Sequence, residues 1–212
     1  MSSTDYIYHI TGAIVAVAIL QIVVTKVELS KEAKRRIQHA ATGQLLIIIS
    51  YLLPLSVCQI ALFAGISLLL YVYHCHEAWY KNTFGPLLRP SEQDSLPGAF
   101  WFLVGTWISA MCFDMTIGRY AILCLSYADP MAAWVGSSIP SPKVFGNATM
   151  AGCCACFCTS IAIGWLVLSE DAAEIGVGAL VCTLAECLPI GNDNLLIPVV
   201  TAAAVQLLRT YR

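Results

Sequence analysis

Three carboxylates near the edges of long apolar stretches are the residues best able to do chemistry. Asp129 is followed by Pro130, which we expect to break a helix there, and Asp193 comes soon after Glu186. A carboxylate at a membrane boundary costs several kcal/mol unless a partner or a metal compensates its charge. Carboxylate oxygens are also the ligands that Mg²⁺ prefers. These segments are therefore the first candidates for a functional site.

The loop that follows Asp129 adds groups that suit a phosphate. Gly136, Gly146 and Gly152 permit close approach of the backbone to a ligand, and Lys143 is the single basic residue of the loop. This composition suits a nucleoside triphosphate with magnesium, although it is not a Walker A sequence. The alternative interpretation is a helix-capping Asp followed by a flexible loop.

Two further segments contain candidate residues. Arg35, Arg36 and His39 share one side of a predicted helix, where they would bind phosphate or anchor the chain at the headgroups. Glu186 falls inside a predicted membrane span, and an intramembrane carboxylate is a functional candidate by default. The alternative for Glu186 is a structural carboxyl that is protonated or hydrogen-bonded between helices.

The elements that position these residues follow from the composition. Of the 212 residues, 58% are hydrophobic and only 11% are charged, whereas a soluble domain has about a quarter charged residues. We therefore expect an all-α, polytopic transmembrane helix bundle, with residues 1–212 forming a single integral membrane domain. No basic patch with interleaved aromatic residues indicates a nucleic-acid partner.

Apolar stretches of sufficient length predict seven or eight spans. Pro54 divides the longest stretch, and residues 74–97 read as a polar loop. The predicted spans are about 8–27, the two parts of 40–73, 98–113, 117–136, 148–168, 173–190 and 194–208.

The basic residues give the orientation of this bundle. With eight spans, 8 of the 11 Lys and Arg residues fall on one side, which is predicted to be cytosolic and also holds the acidic segments. We expect the endoplasmic reticulum rather than a plastid membrane, because the N-terminal residues lack the Arg- and Ser-rich character of a transit peptide. The sequon Asn147-Ala148-Thr149 checks this topology, since a glycan there would contradict it.

Ten cysteines, four of them between Cys153 and Cys158, invite a metal-site interpretation. We favour close packing of helices, because the cluster lies in an apolar run without a nearby His. A disulfide framework is not expected, since such frameworks belong to small secreted domains.

Taken together, these segments resemble the CTP-dependent lipid-alcohol kinases, a family that includes phytol kinase, dolichol kinase and the fungal type of diacylglycerol kinase. The family's motifs are Arg-Lys-x-x-His, Gly-Asp-x-x-Ala-x-x-x-Gly, Asn-Lys-Ser-x-Ala-Gly-Ser and Glu-x-x-Pro followed by Asp-Asp-Asn-Leu. They are matched in order over about residues 30–200, and the phytol kinase branch is the most similar. The matching segments are Arg35–His39, Ala128–Gly136, Asn147–Cys153, Glu186–Pro189 and Asn192–Leu195.

The chain departs from these motifs at three positions. The family's Gly before the Asp is Ala128, its Lys is Ala148, and its Ser after the Gly is Cys153. Lys143 is the nearest cation that could replace the missing Lys.

The resemblance implies transfer of the γ-phosphate of CTP to a long-chain lipid alcohol at the cytosolic face of the membrane, with Mg²⁺ as cofactor. It implies Asp129 as a magnesium ligand, Asp193 as a second ligand or the base, and Glu186 as an orienting group. The nucleotide and its phosphates would be held by Arg35, Arg36, His39, Gly136, Lys143, Asn147, Gly152 and Asn194. The alternatives are a cytidylyltransferase that acts on a lipid phosphate, and an inactive relative with a non-enzymatic membrane role. The lipid alcohol and the oligomeric state stay open.

Overall fold

The computed structural model of the protein describes residues 3–84, 95–168, 171–188 and 191–212. Its chain divides into two compact units, Met1–Leu103 and Val104–Arg212. The described residues are almost entirely helical, which confirms the predicted all-α class. The prediction of a single membrane domain stays a prediction.

The described residues of the first unit form four helices and the start of a fifth. Its complete helices are α1 (Ser3–Lys26), α2 (Lys31–Leu52), α3 (Leu55–Cys75) and α4 (Glu77–Phe84). Pro54 separates α2 from α3, as predicted, because a proline cannot supply the amide that would continue α2. The short helix α4 lies where the sequence predicted only a polar loop.

Length and apolar composition identify membrane-crossing candidates among the described helices. Two are long and apolar enough to cross a bilayer, α3 with 21 residues and α8 (Met150–Val167) with 18. Helix α3 exposes large apolar side chains, as expected of a lipid-facing helix: Ile60, Phe63, Leu68 and Tyr71. The predicted count of seven or eight spans stays a prediction.

The second unit holds the acidic segments. Helix α5 (Gly98–Cys112) leads into it, and its own elements are α6 (Met115–Leu123), α7 (Asp129–Ser138), the strands β1 (Lys143–Phe145) and β2 (Ala148–Thr149), α8, α9 (Ala172–Cys187) and α10 (Asp193–Thr210). Helix α9 packs against both α8 and α10, and α7 packs against α8. Fully buried residues form the core between these helices, among them Ile117, Tyr120, Leu125, Ile175, Ile197 and Val205.

The prediction that Pro130 breaks the helix at Asp129 is wrong. A π-helical turn, Cys124–Ala128, joins α6 to α7, and the Asp129 amide donates to the carbonyl of Cys124. The wider turn accommodates Pro130, which lacks an amide hydrogen, in the first turn of α7. Asp129 therefore projects from a continuous helical segment. Such π-turns are frequent at functional sites.

Ion pairs join α9 to α10 at the ends away from the acidic segments. The Arg209 side chain donates from Nε to Oε1 of the buried Glu174 over 2.8 Å. The exposed Arg212 pairs with Asp171, which caps α9 by accepting from the amide of Glu174. That amide is the main cause that lowers the pKa of Asp171. These pairs fix the C-terminal end of α10 on the first turn of α9.

Candidate active site

A cavity of about 410 Å³ lies within the second unit, at the predicted functional segments. This volume is within the range of small-molecule sites, roughly 300–1,000 Å³. Helix α7, the β1–β2 hairpin, the first turn of α8, the last turn of α9 and the start of α10 all contribute to its wall. The lining residues are Ala132, Ala133, Gly136, Ser137, Phe145, Asn147, Ala148, Thr149, Gly152, Cys153, Glu186, Cys187, Leu188 and Asp193.

Acidic side chains lie in and beside the wall of the cavity. Glu186 and Asp193 line it, while Asp129 lies outside the lining but close to the Glu186 carboxyl, within its electrostatic and hydrogen-bonding reach. Oε2 of Glu186 is buried and has no hydrogen-bond partner among the described residues. Three carboxyl groups this close repel one another when ionised, and a bound cation or a shared proton relieves that repulsion.

Two glycines allow α7 and α8 to meet under the cavity. A Cβ on Gly152 would lie 2.8 Å from the carbonyl oxygen of Ala132, and one on Gly136 would lie 2.8 Å from Oγ1 of Thr149. Both glycines were predicted to approach a ligand. They line the cavity, and they also permit the close helix contact that forms its wall.

The entrance to α8 is held by hydrogen bonds within the protein. The Met150 amide donates to the carbonyl of Pro142, the Ala151 amide to Oγ of Ser141, and the Gly152 amide to Oγ1 of Thr149. The first three amides of the helix are therefore already engaged. A phosphate in the cavity would gain only the partial charge of the helix end.

Among the described residues, the cavity lining contains two carboxylates and neither Lys nor Arg. Lys143 is exposed on β1 and is not part of this lining, so its role as a phosphate ligand stays a prediction. Because carboxylates and phosphates repel each other, a triphosphate could bind here only together with a cation.

The donor chemistry fits magnesium. No three His, Cys, Asp or Glu side chains in the described parts of the chain form a complete metal cage. Mg²⁺ rarely needs one, since it is usually held by one or two carboxylates together with substrate phosphates and water. The bare Oε2 of Glu186 and the carboxylate of Asp193 supply such a pair.

The remaining predicted residues have local partners. Arg35 and Arg36 both pair with Glu32 in the first turns of α2, and the ring of His39 packs edge-on against Phe102. Asn194 lies in the first turn of α10 and does not line the cavity. The nucleotide-binding roles of these four predicted residues stay predictions. Pro189 lies outside the residues that the structure describes.

The bonding of the cysteines differs in part from the one that the sequence predicted. Cys153 and Cys187 form a disulfide, with 6.6 Å between their Cα atoms, which was not predicted from the sequence, since only a disulfide framework was considered there and set aside. The two lie 34 positions apart, and only the packing of α8 on α9 brings them together. The thiols of Cys156 and Cys182 are buried 3.9 Å apart between the same helices, as close helix packing predicts.

Sequence reasoning missed Phe145, the aromatic side chain among the described residues of the lining. A signal for its hairpin is present, because Val144 and Phe145 precede Gly146-Asn147, a turn pair typical of short β-hairpins. Those residues were instead interpreted as a loop.

A cavity lined by carboxylates in a largely apolar helical protein is compatible with an enzyme that binds a charged small molecule. Comparison with known proteins indicates which reaction the proteins similar to this chain catalyse. The chain is similar to CTP-dependent diacylglycerol kinase 1 of Schizosaccharomyces pombe, with 28% identity over 148 residues, which cover 61% of this chain and 68% of that protein. It is also similar to CTP-dependent diacylglycerol kinase 1 of Saccharomyces cerevisiae, with 29% identity over 89 residues, which cover 41% of this chain and 31% of that protein.

These relatives confirm the predicted resemblance to the CTP-dependent lipid kinases, and with it the class of enzyme. They give no specific support to the phytol kinase branch. No family model matches the chain, and no solved structure matches it.

Proposed function

We propose that this protein is a membrane lipid kinase that transfers the γ-phosphoryl group of CTP to the hydroxyl of a lipid alcohol. The observation that carries the proposal is the cavity in which Glu186, with its bare Oε2, and Asp193 face a space of about 410 Å³. The names of the two similar kinases support CTP as the phosphate donor and favour diacylglycerol as the acceptor.

Within this proposal, Glu186 holds Mg²⁺ together with the phosphates, and Asp193 is the base for the acceptor hydroxyl, because both residues line the cavity. The metal, when bound, neutralises the charge on the transferred phosphoryl group and its neighbours. Asp129 lies beside Glu186 and orients its carboxyl group. Glu186 thereby takes the metal-binding role first expected for Asp129, and Asp129 takes the orienting role first expected for Glu186. Asp193 keeps one of its two expected roles, that of the base.

The reaction is an in-line displacement. The oxygen of the lipid hydroxyl forms a bond to the γ-phosphorus, the bond from that phosphorus to the β-phosphate oxygen breaks, and CDP leaves. The proton of the hydroxyl passes to a carboxylate, for which Asp193 is placed at the start of α10. Alignment and charge neutralisation supply most of the rate enhancement in such transfers.

The surroundings of the cavity suit a lipid acceptor. Helix α8, whose first turn lines the cavity, is one of the two described helices long and apolar enough to cross a bilayer. A lipid lying along such a helix would place its hydroxyl near the headgroup level, where a nucleotide from the cytosol arrives. We further propose the endoplasmic reticulum membrane, with the cavity open to the cytosol.

Product identification tests the proposal. The purified chain is incubated with Mg²⁺, CTP and a panel of lipid alcohols that contains diacylglycerol, dolichol, polyprenol and phytol. The expected products are CDP and a lipid monophosphate, of which the diacylglycerol product is phosphatidic acid. Pyrophosphate with a CDP-lipid, formed from an added lipid phosphate, would instead identify a cytidylyltransferase. Absence of magnesium-dependent CTP binding would indicate an inactive relative, in line with the departures at Ala148 and Cys153.

A further inference from the structure

Phe145 is an aromatic side chain in the lining of the cavity that the proposed chemistry does not use. It ends strand β1, it is 48% exposed, and it lines the cavity. No other aromatic ring occurs among the described residues of that lining. The rest of the wall consists of small residues, single polar groups, Leu188 and the carboxylates.

The hairpin holds Phe145 in place. Phe145 pairs with Ala148 in the antiparallel ladder, and Gly146 closes the turn with a φ of +50°, a conformation that favours glycine. The bonds from Met150 to Pro142 and from Ala151 to Ser141 fasten this hairpin to α8. The strand that carries the ring is therefore ordered before any ligand arrives, which reduces the entropy lost on binding.

A nucleoside triphosphate has two chemically different ends. Its phosphates bind together with the metal, so we place them next to Glu186 and Asp193. Its base is a flat aromatic ring that binds proteins largely by stacking on aromatic side chains. Among the described lining residues, the single group that offers such a surface is Phe145.

We propose that the Phe145 ring is the stacking platform for the base of the nucleotide, with the phosphates directed toward Glu186 and Asp193. This inference rests on the proposed function. Stacking tolerates different bases, so Phe145 provides affinity for a nucleoside triphosphate over inorganic triphosphate. It does not by itself select cytosine.

An exposed Phe on a hairpin has another use, insertion into the membrane surface. Val144 lies next to Phe145, is 38% exposed and does not line the cavity. Membrane insertion would use both side chains, whereas base stacking would use Phe145 alone. Val144 therefore provides a matched control on the same strand.

The test compares the wild-type chain with Phe145→Ala, Phe145→Trp and Val144→Ala, each purified in detergent micelles. Equilibrium dialysis gives the Kd for labelled CTP with Mg²⁺, and displacement of the label gives the Kd for inorganic triphosphate. The Phe145→Ala variant should bind CTP about 5- to 150-fold more weakly and bind inorganic triphosphate as the wild type does. The other two variants should bind CTP within about threefold of the wild type.

Different failures lead to different conclusions. If the wild type binds no magnesium–CTP, the proposed function fails and this inference falls with it. If the wild type binds CTP and Phe145→Ala binds it equally well, the stacking role is wrong and the proposed function stands. Equal loss of CTP and inorganic triphosphate would mean that the ring only shapes the hairpin. An equal reduction of lipid phosphorylation by Phe145→Ala and Val144→Ala, with the Kd for CTP unchanged, would assign the hairpin to the membrane surface instead.

Discussion

Replacing Gly152 by alanine tests the helix contact on which the cavity depends. The added Cβ would lie 2.8 Å from the carbonyl oxygen of Ala132, and ordinary contact begins at 3.4 Å. Helices α7 and α8 must therefore part by about 0.6 Å, the difference between those distances. The opposing atom belongs to the backbone of a helix, so it cannot rotate aside as a flexible side chain would.

Overpacking of this kind costs about 1–3 kcal/mol of folding free energy. In a chain of this length each kcal/mol lowers the unfolding midpoint by roughly 2–4 °C. We expect the apparent midpoint of Gly152→Ala in detergent micelles to fall by roughly 2–12 °C. The affinity for magnesium–CTP should fall as well, because residues of both helices line the cavity.

Gly176 is the matched control for this substitution. It lies in α9 of the same unit, and nothing is within 4 Å of the Cβ that alanine would add. Gly176→Ala should keep its affinity for CTP and gain up to about 1 kcal/mol from the better helix propensity of alanine. A Gly152→Ala protein as stable as Gly176→Ala, with normal CTP affinity, would refute the assigned helix contact.

Three further predictions address charge and topology. Ala148→Lys would place a cation in a lining whose described residues include neither Lys nor Arg, and should lower the Kd for CTP severalfold. An unchanged or higher Kd would count against the acidic cavity as the phosphate site. Arg209→Ala removes the ion-pair partner of the buried Glu174 and should lower the free energy of unfolding by about 2 kcal/mol. This is less than the loss expected on breaking a fully buried ion pair, because Arg209 is 34% exposed. Arg212→Ala breaks an exposed pair and should lower the unfolding midpoint less than Arg209→Ala does, so equal midpoints for the two variants would contradict this difference. The predicted topology places the exposed Asn147 in the cytosol, so its sequon should stay unglycosylated in a eukaryotic host. A sequon appended after Arg212 should be modified on the same topology. Endoglycosidase digestion reads out both, and a glycan on Asn147 would contradict the topology.

Helix positions were largely predictable from the sequence. Apolar stretches and Pro54 marked the divisions, and the predicted span 98–113 corresponds to α5 at Gly98–Cys112. Hydrophobicity gives the extent of such helices, because their apolar side chains are repeated over many residues. It does not show how a helix passes a proline, and so the π-turn before Pro130 was missed.

The candidate site was predictable only in part. Glu186 and Asp193 stood out because a charged residue in an apolar segment is conspicuous, and both line the cavity. The Cys153–Cys187 disulfide and the place of Phe145 depend on how α8, α9 and the hairpin pack, which local composition does not encode. Asp129 was equally conspicuous, but its position beside Glu186 rather than in the lining follows only from the fold.

Transfer of label from γ-labelled CTP to diacylglycerol tests the central claim most directly. The purified wild-type chain and Glu186→Gln are each incubated with diacylglycerol in mixed micelles, with and without Mg²⁺. We predict labelled phosphatidic acid from the wild type only when Mg²⁺ is present, and at least about 100-fold less from Glu186→Gln, which removes a charge that acts on the transferred group. Label that stays in CTP, or equal transfer by the two proteins, would contradict the assignment of this cavity as a lipid kinase site.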